Sequence, residues 1–232
     1  MSTLIRIGML CFITLVASAR PVSACSCAAL PVCATFWEAD QVFIGRAEVT
    51  PLGPGAQRTR FEVEESFRGP AGVVEIIGRG IGGSCDYGFV DGTQYVVFAR
   101  RAPDGTWSSS LCGSTAPLAQ AGEVITFARG IARDKSRGGS VSGSVLLVER
   151  LGTGRFGSHS PMNGARVVMR EGTRELSATT DSMGQFEFKD VAPGRYTIAV
   201  SAMPAVETIP PATIQIKGPG ACVIHGLTAV KR

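Results

Sequence analysis

Two cysteines one residue apart, in "ACSC" (residues 24–27), stand directly behind an apolar run, and four more follow at Cys33, Cys85, Cys112 and Cys222. Residues 1–24 have the layout of an export signal. Arg6 gives the positive start, "IGMLCFITLVASA" (7–19) is the apolar stretch, and Val22 and Ala24 flank the expected cut. The stretch is shorter than the ~20 residues that a membrane-spanning helix needs. Cys11 leaves with the leader, so the exported chain carries six thiols into an oxidising compartment. An even number there points to disulfides, with about fifteen possible pairings. Zinc is the competing use of such residues. A Cys-x-Cys without a second nearby pair, in a chain whose only histidines are His159 and His225, lacks the ligand spacing of a metal site. No metal and no cofactor is expected.

A chain of 232 residues makes one or two domains. Its 29 glycines and 13 prolines favour short strands and many turns over long helices. Net charge is +4, but removing Arg6 and Arg20 with the leader leaves 21 positive against 19 negative residues, or +2. Without a basic stripe, nucleic acid is not an expected partner.

After a short helical turn over "CATFWEAD" (33–40), strands are expected at 41–50, 58–69, 72–80, 93–101 and 106–112, with 51–57 as a hairpin loop. In the second of these, Phe61, Val63 and Phe67 fall on one face at period two. The Ala-rich segment 117–131 reads as a helix, with Leu118, Gly122, Ile125 and Arg129 as its poorly patterned stripe. Five strands and a helix predict a barrel of the oligonucleotide/oligosaccharide-binding (OB) type over 25–132. Residues 133–140, "RDKSRGGS", read as a linker. From 141 to 232 seven short strands spaced by turns predict an antiparallel β-sandwich. Within it Asp181 and Gly184 bound a tight turn, and 152–164 is expected to be a long loop. The fold class is therefore mainly β, a five-stranded OB-like barrel followed by a seven-stranded sandwich.

Catalytic constellations are missing from the sequence: there is no G-x-S-x-G elbow and no HExxH. His159 falls in the expected loop and His225 in an apolar last strand, where structural histidines are common. "EVEE" (62–65) reads as the solvent side of a strand. The chain is not expected to be an enzyme.

The paired cysteines carry a different chemistry. In an extended chain residues i and i+2 point the same way, so Cys25 and Cys27 can both bond to the domain beneath, with Cys85 and Cys112 as anchors. If cleavage follows Ala24, Cys25 has a free α-amine. That nitrogen and the Cys25 carbonyl oxygen then form a five-membered chelate, suited to the open position of another protein's catalytic zinc. "CSC" at a mature start, "SCDYGF" and the later "LC" resemble the N-terminal inhibitory domain of the tissue inhibitors of metalloproteinases, the netrin-like family, over about 25–130. The resemblance implies that Cys25 chelates a protease zinc, that Ser26 enters the specificity pocket, and that the bridges are Cys25–Cys85 and Cys27–Cys112. That family closes its third early cysteine within the domain. Here the next cysteine after Cys112 is Cys222, so Cys33–Cys222 is expected to tie the two domains together. The stretch "GARVVMREG…ATTDSMGQFEFKDVAPGRYTIAV" resembles the carboxypeptidase regulatory-like, or transthyretin-like, sandwich over about 138–232, which implies a binding or stability module.

"VSAC" (22–25) also fits a bacterial lipobox, in which Cys25 would be acylated and the protein held at a membrane; Arg20 ahead of it departs from that pattern. Acylation would block the amine. Two functions therefore stand: an inhibitor of a zinc metalloprotease acting through Cys25 and Ser26, or an extracellular or envelope adhesion module, secreted or anchored at Cys25.

Overall fold

The computed structural model describes residues 25–27, 30–78, 85–150, 156–204, 206–208 and 210–231. The leader expected over 1–24 lies outside the described residues, as does part of the loop expected at 152–164.

The chain opens with helix α1 (Val32–Glu38) and then builds a closed sheet from β1 (Gln41–Gly53), β2 (Ala56–Arg68), β3 (Val73–Gly78), β4 (Gln94–Arg101) and β5 (Trp107–Ser108). The order β1-β2-β3-β5-β4 returns to β1 through an antiparallel β1–β4 ladder, and a short β6 (Ala116–Pro117) lies against β4. "QVFIG" at the start of β1 and "YVVFA" in β4 are buried without alternation, because both faces of these strands are covered. Phe43 and Val97 point into the barrel with Phe61, Ile76 and Phe89. Val42, Ile44, Val96 and Phe98 point out beneath α1 and helix α2 (Gly122–Arg133).

Three readings of the first half change. The loop expected over 51–57 is ladder: Pro51 pairs with Gln57, and the reversal is confined to a turn where Gly53 and Gly55 take positive φ. The shared face of Phe61, Val63 and Phe67 is broken. Register shifts in the β1–β2 ladder leave Phe61 and Val63 at the barrel interior and put Phe67 under the helices. The buried stripe of α2 is Val124, Ala128 and Ile131, spaced i, i+4, i+7, and Leu118 precedes the helix in a 3₁₀ turn. Arg129 lies on the exposed side and reaches Glu65 of β2 at 2.7 Å.

Five residues connect α2 to the second half, and they are tied down. The Asp134 carboxylate accepts from the Ser136 N–H and hydroxyl, and the Arg137 carbonyl accepts from the Gly220 N–H. The sandwich has one antiparallel sheet, β10-β9-β12-β14, made by β9 (Arg166–Glu171), β10 (Arg174–Thr179), β12 (Gly194–Val200) and β14 (Ala212–Ile216). Facing it is β11-β7-β16-β13, from β7 (Gly139–Arg150), β11 (Gln185–Val191), β13 (Val206–Thr208) and β16 (Leu227–Lys231). Two further strands, β8 (Phe156–Pro161) and β15 (Cys222–Ile224), also pair with β7. Phe186, Phe188, Tyr196 and Ile198 fill the space between the layers. The described strands here outnumber the seven read from the sequence, and β15 and β16 run parallel to β7. β8 was hidden by its polar composition: "FGSHSP" has no apolar alternation, yet it pairs with β7 from Leu146 to Arg150. The expected last strand breaks at His225–Gly226, where the His225 N–H donates to the Ser142 carbonyl. The Asp181–Gly184 turn is present, with the Asp181 carboxylate accepting from the N–H groups of Met183 and Gln185.

The Arg129–Glu65 pair gives a pH test of how α2 is held. Its hydrogen bond to Arg129 holds the Glu65 carboxyl below the usual carboxylate range. A depressed folded-state pKa contributes stability above the unfolded value and loses it as the pH falls through the folded one. Glu65→Gln should therefore lower the melting temperature slightly at pH 7, with the difference from wild type closing below about pH 4. Thermal melts across that range check this.

Candidate functional site

Cys25, Ser26 and Cys27 form an exposed segment with no regular secondary structure. Two covalent bonds hold it to the barrel. Cys25 is bonded to Cys85 with Cα atoms 5.7 Å apart, and Cys27 to Cys112 at 5.1 Å. The sequence separations of 60 and 85 residues make these long-range ties.

The two anchors are locked to each other. Asp86 and Ser110 form an isolated antiparallel bridge. Alongside it, the Leu111 N–H donates to the Cys85 carbonyl and the Tyr87 N–H to the Ser109 carbonyl, both at 2.8 Å. The Ser110 hydroxyl donates to the same Cys85 carbonyl and accepts from the Cys112 N–H, each at 3.1 Å. Beneath this, the buried hydroxyls of Ser109 and Thr115 share a hydrogen bond, and Thr115 accepts from the Phe98 N–H in β4. Hydrogen bonds and the backbone from Ser109 to Cys112 thus connect a central barrel strand to both anchor cysteines. The run "TWSSSLC" is therefore mostly bridge and turn rather than the continuous strand expected at 106–112. The Ser110 hydroxyl satisfies backbone groups that a ladder would otherwise take.

Tyr87 extends the anchor into the barrel core, with ring centroids 5.0 Å from Phe89 and 5.8 Å from Tyr95. Burial first, and the Tyr95 phenol second, push the Tyr87 phenol up, so it stays neutral. A hollow of about 260 Å³ opens beside Cys112 between Thr35, Glu38, Arg100 and Ser110. Leu30 and Leu111 leave apolar surface near the same bridge, 46% and 52% exposed.

The third bond, Cys33–Cys222, joins α1 to β15, with Cα atoms 5.2 Å apart and 189 residues between them in sequence. Sequence reading missed its companion, Trp37. The Trp37 indole N–H donates to the Pro219 carbonyl at 3.2 Å, and the Arg68 guanidinium lies 4.9 Å from the ring centroid. The neighbouring Glu38 carboxylate meets Lys217 at 2.7 Å. "FWEAD" offered an aromatic and an acid here, but nothing in it says which face of a two-turn helix meets a segment so distant.

His159 is exposed on β8, and His225 sits between β15 and β16. Among the described residues no three His, Cys, Asp or Glu side chains are grouped to hold a metal ion. Also among them, no helix is long and apolar enough to cross a membrane.

The family description "Carboxypeptidase regulatory-like domain" matches residues 152–220, a narrower span than the 138–232 of the sequence resemblance, and leaves 25–130 outside it. No curated protein matches the chain. Solved structures similar to it include the major pilin SpaD of Corynebacterium diphtheriae, at 15% identity and TM-score 0.33 over 42% of this chain and 31% of that one. The chain thus spans about a third of that pilin's length. A suspected carbohydrate-binding protein of Pseudomonas aeruginosa matches at 16% identity and TM-score 0.27, over 41% of this chain and 90% of that one. The minor pilin GBS52 of Streptococcus agalactiae matches at 12% identity and TM-score 0.30, over 81% and 89%.

Loss of the bond at the exposed segment should show in stability. Removing the Cys27–Cys112 bridge by the double change Cys27→Ser, Cys112→Ser should cost about 2–5 kcal/mol. Ser26→Ala, on an exposed side chain, should stay within about 0.5 kcal/mol. Urea unfolding of the three oxidised proteins checks both.

Proposed function

We propose that this protein is an exported, non-enzymatic binding module that works in the envelope or outside the cell. The observation that carries the reading is the state of the cysteines: every one from Cys25 onward is in a disulfide, and one bond joins the barrel to the sandwich. Such bonds persist in oxidising compartments and are rare in the cytosol. They also suit a display role, because a surface fixed before contact loses less entropy on binding. The carboxypeptidase regulatory-like match over 152–220 supports the same reading, because the resemblance to that sandwich implies a binding or stability module.

A second reading, inhibition of a zinc metalloprotease, is favoured by one feature. Cys25 and Ser26 are exposed while held by two disulfides whose anchors are cross-linked by hydrogen bonds. In a chain beginning at Cys25, the α-amine and carbonyl would be presented to a partner's zinc and Ser26 to its adjacent pocket. Acylation at Cys25 would instead anchor the module to a membrane and remove that activity.

Two preparations separate the readings: the exported chain starting at Cys25, and one with a single Ala added ahead of it. As a binding module, both should be retained equally on whole cells or envelope fractions, and neither should inhibit a zinc endopeptidase such as thermolysin. Inhibition by the first that the added Ala abolishes would establish the second reading. A chain kept in the cytoplasm with free thiols would overturn both.

A further inference from the structure

We propose that the outer face of β7, between β11 and β15, is a glycan-binding groove; the inference rests on the binding-module reading and names its ligand class. Ser140, Ser142 and Ser144 lie at i, i+2, i+4 on β7, half-buried on the side away from Val141 and Val145. The ladder sets Gln185 opposite Ser144 and Glu187 opposite Ser142, while Phe186 and Phe188 turn into the core. Glu187 lines two hollows. One of about 630 Å³ extends toward α2 past Ser140, Lys189 and Arg137; the other, of about 550 Å³, runs past Ser142, Ser144 and Gln185 to Asp181. Both volumes fall in the range of small-ligand sites. Sharing Glu187 as a common wall, the two hollows lie in succession along the strand, and Ser140 to Ser144 alone spans about 14 Å. That length suits a chain of sugar rings better than a single ring.

The groups in the groove select the ligand. The three serine hydroxyls and the Gln185 amide have no side-chain hydrogen-bond partner among the described residues. Hydroxyl and amide groups both donate and accept, and the Glu187 and Asp181 carboxylates accept, which is the complement of a polyol. Ile224, 53% exposed, stands on the rim of the second hollow and offers an apolar contact to the C–H face of a ring. Arg137 and Lys189 are offset by Glu187, Asp190 and Asp181, so a polyanion gains no net attraction. A peptide strand finds no open edge on the floor, because β7 is paired there with β11 on one side and β15 on the other.

Calorimetric titration of the chain from Cys25 with chitohexaose, cellohexaose and mannohexaose tests the groove. At least one should bind with a Kd of about 1 mM or tighter. Glu187→Ala and Gln185→Ala should each weaken it about ten-fold, and Ser142→Trp should abolish it by filling the floor. Glu187 and Gln185 are exposed, so an unchanged melting temperature in their variants separates lost contact from lost fold. Failure of all three sugars to bind overturns the groove, as does binding that survives both Glu187→Ala and Ser142→Trp. A protein ligand lost in the same variants and not displaced by the sugars also overturns the glycan assignment. In each of these cases retention on cells would persist and the binding-module reading would stand. Loss of retention itself is what removes that reading.

Discussion

Trp37, on a helix of only seven residues, packs against both the helix-side core of the barrel and the core of the sandwich. Its ring is fixed on every side. Phe36 meets it edge-on with centroids 5.3 Å apart, Arg68 covers a face, and the indole N–H is tied to the Pro219 carbonyl. Gly218 is required beneath it, because a Cβ there would run into the indole ring. The Cys33–Cys222 bond crosses the same seam four residues earlier in the helix. Besides this joint, the described residues link the two halves through the 134–138 connection and one exposed ion pair, Lys217–Glu38, which contributes little. The hollow beneath Cys33 and Arg137 has walls from both halves, so the joint also fixes its shape.

The Cys25–Cys85 and Cys27–Cys112 bonds do a different job. Neither Cys25 nor Cys27 belongs to a helix or strand, so no ladder or helix bonds hold this exposed segment. Two bonds to anchors that are themselves bridged convert three exposed residues into a fixed protrusion. The chain-entropy account makes such long closures worth about 4–5 kcal/mol each. That is comparable to much of a small domain's net stability.

Much of the architecture was legible because burial writes itself into the sequence. The alternation in "QFEF" and "RYTIAV" and the doubly covered runs in β1 and β4 mark the strands, and Asp181 with Gly184 marks a turn by its side-chain chemistry. What was hidden has physical reasons. β8 is polar and carries no period. Bulges in β2 break the face that Phe61, Val63 and Phe67 share by count. The stripe on α2 was misplaced because Gly and Arg occupy positions that a packed face would fill with apolar groups. The exposed "CSC" stood out by its position alone. The serine row of β7 did not, because "VSGSV" reads as an ordinary strand until a ladder sets Glu187 and Gln185 beside it from about forty residues away in sequence. Trp37 was equally silent, since its partners Arg68 and Pro219 both lie far along the chain from it, Pro219 by 182 residues.

The claim that the two halves form one oxidised, exported body is tested most directly by non-reducing peptide mapping of the protein recovered from outside the cytoplasm. The account predicts a chain beginning at Cys25, no free thiol, and the bonds Cys25–Cys85, Cys27–Cys112 and Cys33–Cys222. Free thiols at Cys33 and Cys222, or a different partner for either, would contradict it.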